Sequence, residues 1–384
     1  MPGSLTAEIK EKKISSKHRQ PVYDIHLLVP VFFLVGIGIV MVYSESSAVA
    51  LKRFGTDYFF LKKQGLFALF GIIALVICRH VPYRIYGFLT YPLLFFALFS
   101  LLATQVTEFG YSSGGSARWL RFGVFSFQPS EFARIVLIIY LAYSLNKKMD
   151  HLRNYSVGVL PHMMVFGAFA GLVILQPDFG SAVIFGALTW VMLFVGGVRF
   201  FHLFLSFILM SPMAYFLMFD AAYRIRRIMA FVNPWKFPSD EGYQIIHSLM
   251  AFGTGGIWGS GIGKGYQKLF YLPEPHTDFI FSVIGEELGL LGVLSILGLY
   301  VLILWRGFKI ALNVQDTFGS LVATGLTTAI GLQVCINIGV TLGLLPTKGL
   351  ALPFLSYGGS SLLLNMASMG ILMNIGATGL KKPK

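Results

Sequence analysis

The chain has 384 residues, of which 55% are hydrophobic and only 12% charged, with a formal net charge of +13 and a mean hydropathy of +0.72. So apolar a chain cannot bury its surface in a water-soluble globule, which excludes a soluble enzyme and, in spite of the basic charge, a nucleic-acid-binding domain. The composition predicts an all-α polytopic membrane protein.

Apolar runs of roughly 17 to 25 residues recur along the chain, each long enough to cross about 30 Å of hydrocarbon as a helix. About ten transmembrane helices are expected. They fall near Ile25–Tyr43, Gly65–Cys78, Tyr83–Ala103, Pro129–Leu145, Val157–Leu175, Gly180–Val195, Phe200–Phe219, Asp278–Trp305, Phe318–Leu342 and Ser356–Ala377. One transmembrane domain over residues 25–378 is thus expected between tails at 1–24 and 379–384. Ala48-Val49-Ala50 resembles a signal-peptidase site, but the apolar stretch before it is too long and the preceding tail contains Glu8 and Glu11. An uncleaved first span follows. Cys78 and Cys335 both lie in apolar runs and read as small core residues, with no disulfide or metal site arguable from them.

Basic residues set the orientation. Lys10, Lys12, Lys13, Lys17 and Arg19, then Lys147, Lys148 and Arg153, Arg306 and Lys309, and Lys381, Lys382 and Lys384 mark one side as cytoplasmic and place both termini there. The opposite side also carries Lys52, Arg53, Lys62, Lys63, Arg118 and Arg121, an excess of positive charge that calls for an anionic partner.

The connection between spans three and four holds Arg118, Trp119 and Arg121, then Gln128-Pro129-Ser130-Glu131. Pro129 suits a first helical turn, and Glu131 lies three residues from Arg134, within pairing distance on one face. Ionisable residues in a span are costly, so this pair is either a substrate contact or an ion pair stapling helices. Gln176-Pro177-Asp178 separates spans five and six. The longest polar connection, about 220–277, opens with Arg224, Arg226 and Arg227. A helix from about Ser239 to Gly253 follows, whose Ile245, Leu249 and Phe252 would lay it on the bilayer. The glycine-rich stretch after it, beside Lys264 and Lys268, reads as either a phosphate-wrapping loop or a plain connector.

Pro273, Glu274, Pro275, His276, Thr277 and Asp278 lead into span eight. Pro275 cannot sit inside a hydrogen-bonded helix, so the helix should start near Thr277 or Asp278 with Thr277 as its cap. Asp278 is then either a partner for the helix dipole or a functional acid at the membrane surface. Glu286 lies about 80° around and about 12 Å along the same helix, while Glu287 points away. Each reads as a helix-to-helix hydrogen bond or as a second reachable acid. The last connection carries Lys348, and Ser356-Tyr357-Gly358-Gly359-Ser360-Ser361 opens span ten with small residues that allow close packing. On one side, then, stand an acid at a helix mouth, several arginines and lysines, and the aromatic residues Trp119, Trp235, Trp258 and Tyr271. That set suits an anionic, membrane-borne substrate such as a lipid-linked pyrophosphoryl sugar.

Three separated motifs, RWLRFGVFSFQPSE, NPWKFPSDEGYQIIHSLMAFGTGGIWGSGIGKGYQKLFYLPEPHTDFIFSVIGEELG and NIGVTLGLLPTKGLALPFLSYGGSS, closely resemble the SEDS family (shape, elongation, division, sporulation) of bacterial cell-wall synthesis. QKLFYLPEPHTDFIF with LLPTKGL and SYGGSS is more similar to the division branch than to the elongation branch. The resemblance implies a peptidoglycan glycosyltransferase that polymerises lipid II into β-1,4 glycan strands and releases undecaprenyl diphosphate, during septal synthesis, on the outer face of the bacterial cytoplasmic (inner) membrane. Asp278 occupies the family's essential aspartate. Turning an α-linked donor into a β-linked product is an inversion, which needs one base and no nucleophilic carboxylate, and Asp278 is the candidate. Substrate contacts are expected from Arg118, Trp119, Glu131, Arg134, Lys268, Glu274, His276, Lys348 and Ser356. The family's QPSE-x-x-K pair appears here as Glu131 with Arg134, which keeps the charge but not lysine's point geometry. No cofactor is required by the motifs, although a divalent cation, magnesium or manganese, could help to neutralise the leaving pyrophosphate. Partners implied are lipid II, a monofunctional class B penicillin-binding transpeptidase and other divisome membrane proteins. The competing expectations are a lipid II flippase and a non-catalytic divisome scaffold.

Overall fold

A computed structural model describes residues 23–107, 110–113, 116–123, 125–219, 222–239, 241–265 and 277–378. In chain order these form α1 (Ile25–Phe54), α2 (Phe59–His80), α3 (Arg84–Phe88), α4 (Thr90–Val106), β1 (Gly110–Ser113), β2 (Ser116–Phe122), β3 (Phe125–Phe127), α5 (Pro129–Lys147), α6 (Tyr155–Gly158) and α7 (Leu160–Leu175). There follow α8 (Phe179–Val195), α9 (Phe200–Phe219), α10 (Ala222–Val232), α11 (Glu241–Gly255), α12 (Ile280–Asn313), α13 (Thr317–Thr341) and α14 (Gly359–Thr378). Seven of the described helical segments are long and apolar enough to cross a membrane, α6 and α7 counting together. The shorter apolar helices α4 and α8, and α5 with Glu131 and Arg134 inside it, occupy the remaining expected positions. The protein is therefore an all-α, multi-pass membrane protein. The expected single span Tyr83–Ala103 is broken into α3 and α4, and the eighth runs on to Asn313.

α5, α13 and α14 form the interior, buried on nearly every side, whereas α9 turns Phe200, Phe201, Phe204, Phe207 and Phe216 outward, the pattern of a helix facing lipid. α2 and α14 meet along a seam of small residues. A side chain at Gly370 would come within 2.4 Å of the Leu75 carbonyl, so the two backbones touch there. At the end of that seam Asn374 Nδ2 donates to the Arg79 carbonyl (2.8 Å), and its Oδ1 accepts from the Tyr83 amide (2.9 Å). At the same end of the bundle, Arg306 Nε of α12 pairs with Asp24 before α1 (2.7 Å).

The connection between spans three and four, expected as a loop, contains a three-stranded antiparallel sheet in the order β1-β2-β3, with Leu120 opposite Phe127 and Arg121 opposite Ser126. Arg118-Trp119-Leu120-Arg121-Phe122 reads polar, apolar, apolar, polar, apolar, so no strict period-two signal marks the strand in the sequence.

The long connection also departs from expectation. α11 packs against α12, burying Ile245, Ile246, Ser248 and Ala251, and Ser248 shares its hydroxyl with Ser282 (2.5 Å) while donating to the Thr341 carbonyl (2.5 Å). Its buried face is thus offset from the expected Ile245, Leu249 and Phe252 stripe, and it docks into the bundle. The glycine stretch after it serves α12. Gly289 (φ 62°, ψ −164°) breaks that helix, and the freed backbone groups are satisfied by the stretch beside it. Ser260 and Gly261 amides donate to the Glu286 and Glu287 carbonyls (2.9 and 3.0 Å), while the Leu290 and Leu291 amides donate back to Gly256 and Ile257 (2.9 and 3.3 Å). Lipid could not supply those partners. The Ser260 and Gly261 amides are therefore spent on α12 and not on phosphate. A side chain at Gly259 would lie 2.2 Å from the Glu287 carbonyl oxygen, which is why glycine stands at the contact.

Gly289→Ala would place a methyl group 2.3 Å from the Gly259 amide nitrogen in a backbone region nearly closed to other residues. The strain, about 1–3 kcal/mol, should lower the melting temperature in detergent by about 2–6 °C. An unchanged melting temperature would show that the break does not need glycine.

Candidate active site

The sheet, the starts of α5, α8 and α14, the helices α10 and α11, the turn at 277–279 and the segment 342–358 converge at one end of the bundle. Arg118, Trp119, Arg227, Gln244, Asp278 and Lys348 line a cleft of about 490 Å³ there. A second hollow of about 270 Å³ continues from it between α8, α9 and α10, lined mainly by apolar groups such as Phe179, Val183, Met218 and Ile336. Arg118, Arg227, Thr347, Lys348 and Gly349 line both, so the cations stand where the polar cleft passes into the apolar hollow.

Asp278 is half-buried in the turn before α12, which begins at Ile280 with Phe279 in the cap position. The start expected at Thr277 or Asp278 is thus two or three residues early. Phe279 and Ile280 are buried in the core, and their packing sets where the helix begins. Asp278 is therefore outside the first turn, and the dipole explanation for it weakens. Asn337 of α13 holds its backbone carbonyl (2.9 Å). Its carboxylate lies against segment 342–358, where a side chain at Gly349 would come 2.7 Å from Oδ2.

Lys348 threads its aliphatic chain past Gly180 at the start of α8, where any Cβ would overlap Cε. Its Nζ is buried with no hydrogen-bond partner among the described residues. Burial pushes the amine down to about 8, opposed by Asp178 and reinforced by the charge of Arg118. Asp178 itself caps α8, accepting from the Ser181 amide (3.2 Å) and hydroxyl (2.6 Å). Arg118 reaches from β2 to donate to the Pro177 carbonyl (2.6 Å), tying the sheet to the same helix start.

Glu131 and Arg134 form the expected pair (2.7 Å), 7% and 4% exposed, and neither lines the cleft. Arg134 also donates to Gln333 Oε1 (2.8 Å) and Asn365 Oδ1 (3.4 Å), and Asn365 donates to Ser361 in the cleft wall (3.2 Å). The pair therefore staples α5 to α13 and α14 beneath the cleft. Ser356, expected to touch substrate, is buried and uses its hydroxyl to accept from the Leu352 amide (2.7 Å). Tyr357, Gly358, Gly359 and Ser361 line the cleft in its place. Glu286 and Glu287 are buried and do not line the described part of the cleft, Glu287 accepting from Ser44 of α1 (2.9 Å). Trp235 and Trp258 are largely exposed and do not line the cleft. Lys268, Tyr271, Glu274 and His276 lie outside the described residues.

Gln333 and Asn337 were not singled out from the sequence. Two polar amides four residues apart in an apolar span would have flagged them. For a divalent cation, the described part of the cleft offers the Asp278 carboxylate among three cations. No group of three or more His, Cys, Asp or Glu gathers anywhere among the described residues. That donor set makes no all-protein cation cage, whereas a magnesium ion shared with substrate phosphates would ask of the protein only a carboxylate such as Asp278.

Residues 25–379 match the cell cycle protein family of FtsW, RodA and SpoVE. A probable peptidoglycan glycosyltransferase FtsW of Trichlorobacter lovleyi is 47% identical, covering 94% of this chain and 94% of its own length. Stage V sporulation protein E of Bacillus subtilis is 42% identical over 92% of this chain and 96% of its own. Among solved structures, a chain of a peptidoglycan synthase complex is similar with a TM-score of 0.77 and 29% identity, covering 92% of this chain and 98% of that one. The rod shape determining protein RodA of Thermus thermophilus is similar with a TM-score of 0.67 and 27% identity, covering 94% and 99%. This chain belongs to the FtsW, RodA and SpoVE family, the SEDS family that its motifs resemble.

Proposed function

We propose that this chain is a peptidoglycan glycosyltransferase that polymerises lipid II into β-1,4 glycan strands, with Asp278 as the base. The observation that carries the reading is the order of the site: a polar cleft with Asp278, then cations, then an apolar hollow. That order suits an amphiphile with a saccharide head, a pyrophosphate and a prenyl chain. Asp278 removes the proton from the acceptor 4-hydroxyl as its oxygen attacks the donor's anomeric carbon, and the C–O bond to the pyrophosphate breaks with inversion. Lys348 and Arg118, with Arg227 behind them, meet the charge that develops on the leaving diphosphate. Trp119 offers a flat face to a sugar ring. The undecaprenyl chain leaves by way of Phe179, Val183 and Met218.

Relatives named as FtsW at up to 47% identity support a septal role, and likeness to a chain of a peptidoglycan synthase complex supports a penicillin-binding transpeptidase as partner. The site end then faces outward from the bacterial cytoplasmic membrane, with both termini inside. The flippase reading needs polar groups available down the bundle, whereas Glu131, Arg134 and Glu287 are committed to partners.

Asp278→Asn should slow glycan-strand formation from labelled lipid II by about 10²–10⁴-fold while lipid II binding persists. Undiminished polymerisation would remove Asp278 as the base.

Lys348 gives a pH prediction. Because its amine in the free enzyme is lowered to about 8, kcat/KM should fall as pH rises through about 8, where the ammonium is lost. Lys348→Arg should move that limb upward. An identical alkaline limb in the arginine variant would dissociate Lys348 from the profile. The folded amine binds fewer protons than the unfolded one between about 8 and 10.5, so unfolding free energy should rise with pH across that window. Below it the buried ammonium is a cost, and Lys348→Met should melt at pH 7 no lower than the parent protein while losing activity.

A further inference from the structure

Gln333 and Asn337 stand one turn apart on α13, both fully buried. Each gives its side-chain amide to the backbone of segment 342–358: Gln333 Nε2 to the Ala351 carbonyl (3.0 Å) and Asn337 Nδ2 to the Leu350 carbonyl (2.6 Å). Asn337 does something more. The same Nδ2 donates to the Asp278 carbonyl (2.9 Å), so one group with two hydrogens bridges the turn that carries Asp278 and the segment that carries Lys348. The backbone bonds of that turn run the other way, into α12, where Ser282 and Val283 donate to the Phe279 carbonyl. Gly349, adjoining Leu350, completes the join by leaving room for the Asp278 carboxylate against the segment's backbone.

We propose that Asn337 is a positioning residue for glycosyl transfer, fixing Asp278 relative to Lys348 so that acceptor deprotonation and leaving-group neutralisation share one geometry. This rests on the reading of Asp278 as the base. Both targets are carbonyls, so only a double donor can hold them, and an apolar or acceptor side chain of the same size cannot. The residue is 1% exposed, so water does not readily take over the two bonds. Without them, the turn and the segment must move apart to find other partners. A shift of about 1 Å in a reacting group can cost on the order of 10²-fold in rate.

The test uses the purified full chain with labelled lipid II. Asn337→Leu keeps the volume and removes both donors. It should lower kcat by about 10–100-fold while KM and lipid II affinity stay within about twofold. Asn337→Ser, smaller and with a single donor, should fall between the two, and it provides the same reading if the leucine variant does not fold. Wild-type kcat in either folded variant would overturn the inference. So would a loss confined to KM or binding, which is what mere support of the cleft wall predicts. Asp278→Asn, measured alongside, separates the two levels. If it polymerises normally, the base assignment fails. If it is inactive while the Asn337 variants turn over normally, the base stands and the positioning role falls.

Discussion

Lipid offers no hydrogen bonds, so backbone groups freed inside this bundle have to be answered by another part of the protein. At the site end that requirement builds the site. The break at Gly289 frees backbone groups in α12, and the stretch around Gly256–Gly261 is drawn in to satisfy them. Arg134, buried in α5, gathers Glu131, Gln333 and Asn365 around its guanidinium and so joins α5, α13 and α14 beneath the cleft. Asn337 carries the same logic to the cleft floor, where the groups it satisfies belong to the segments bearing Asp278 and Lys348. A candidate active site made of turns and loops is thereby fixed to rigid helices.

The electrostatics of the cleft follow from the same dryness. Burial makes the Lys348 ammonium unfavourable, and Arg118 nearby adds to that, while Asp178 offsets part of it. A pyrophosphate arriving at this position would favour the charged form, so substrate binding and protonation of Lys348 are linked. In the proposed reaction the cation is strongest when the anion it serves is present. The location of these charges, between a polar cleft and an apolar hollow, suits a ligand whose own phosphate lies between sugar and hydrocarbon.

Much of the fold was legible in the sequence because it is written in composition and short spacing. The apolar runs gave the helical spans, Pro129 marked the start of α5, and the three-residue spacing of Glu131 and Arg134 foretold their pair. The rest depends on contacts distant in the chain. Nothing local to Ser356 tells that its hydroxyl is turned back to Leu352, and nothing local to the glycine stretch tells that α12 breaks beside it. The start of α12 is set by burial of Phe279 and Ile280, which moved it past the caps that the prolines suggested. Asp278 stands out in the sequence through its setting of prolines, acids and motif. The spacing of Gln333 and Asn337 marks them as polar groups in an apolar run, but the role of Asn337 depends on its two carbonyl partners, 59 and 13 residues away.

In the proposed reaction the Asp278 carboxylate meets an acceptor hydroxyl while the cations beside it hold the donor's diphosphate. The most direct measurement is a structure of the Asp278→Asn protein with lipid II bound in a lipid bilayer. An acceptor 4-hydroxyl is expected within hydrogen-bond reach of residue 278, about 2.6–3.2 Å, with the diphosphate against Arg118 and Lys348 and the prenyl chain along Phe179 and Met218. A saccharide bound elsewhere, or a diphosphate away from these cations, would contradict the proposed reaction.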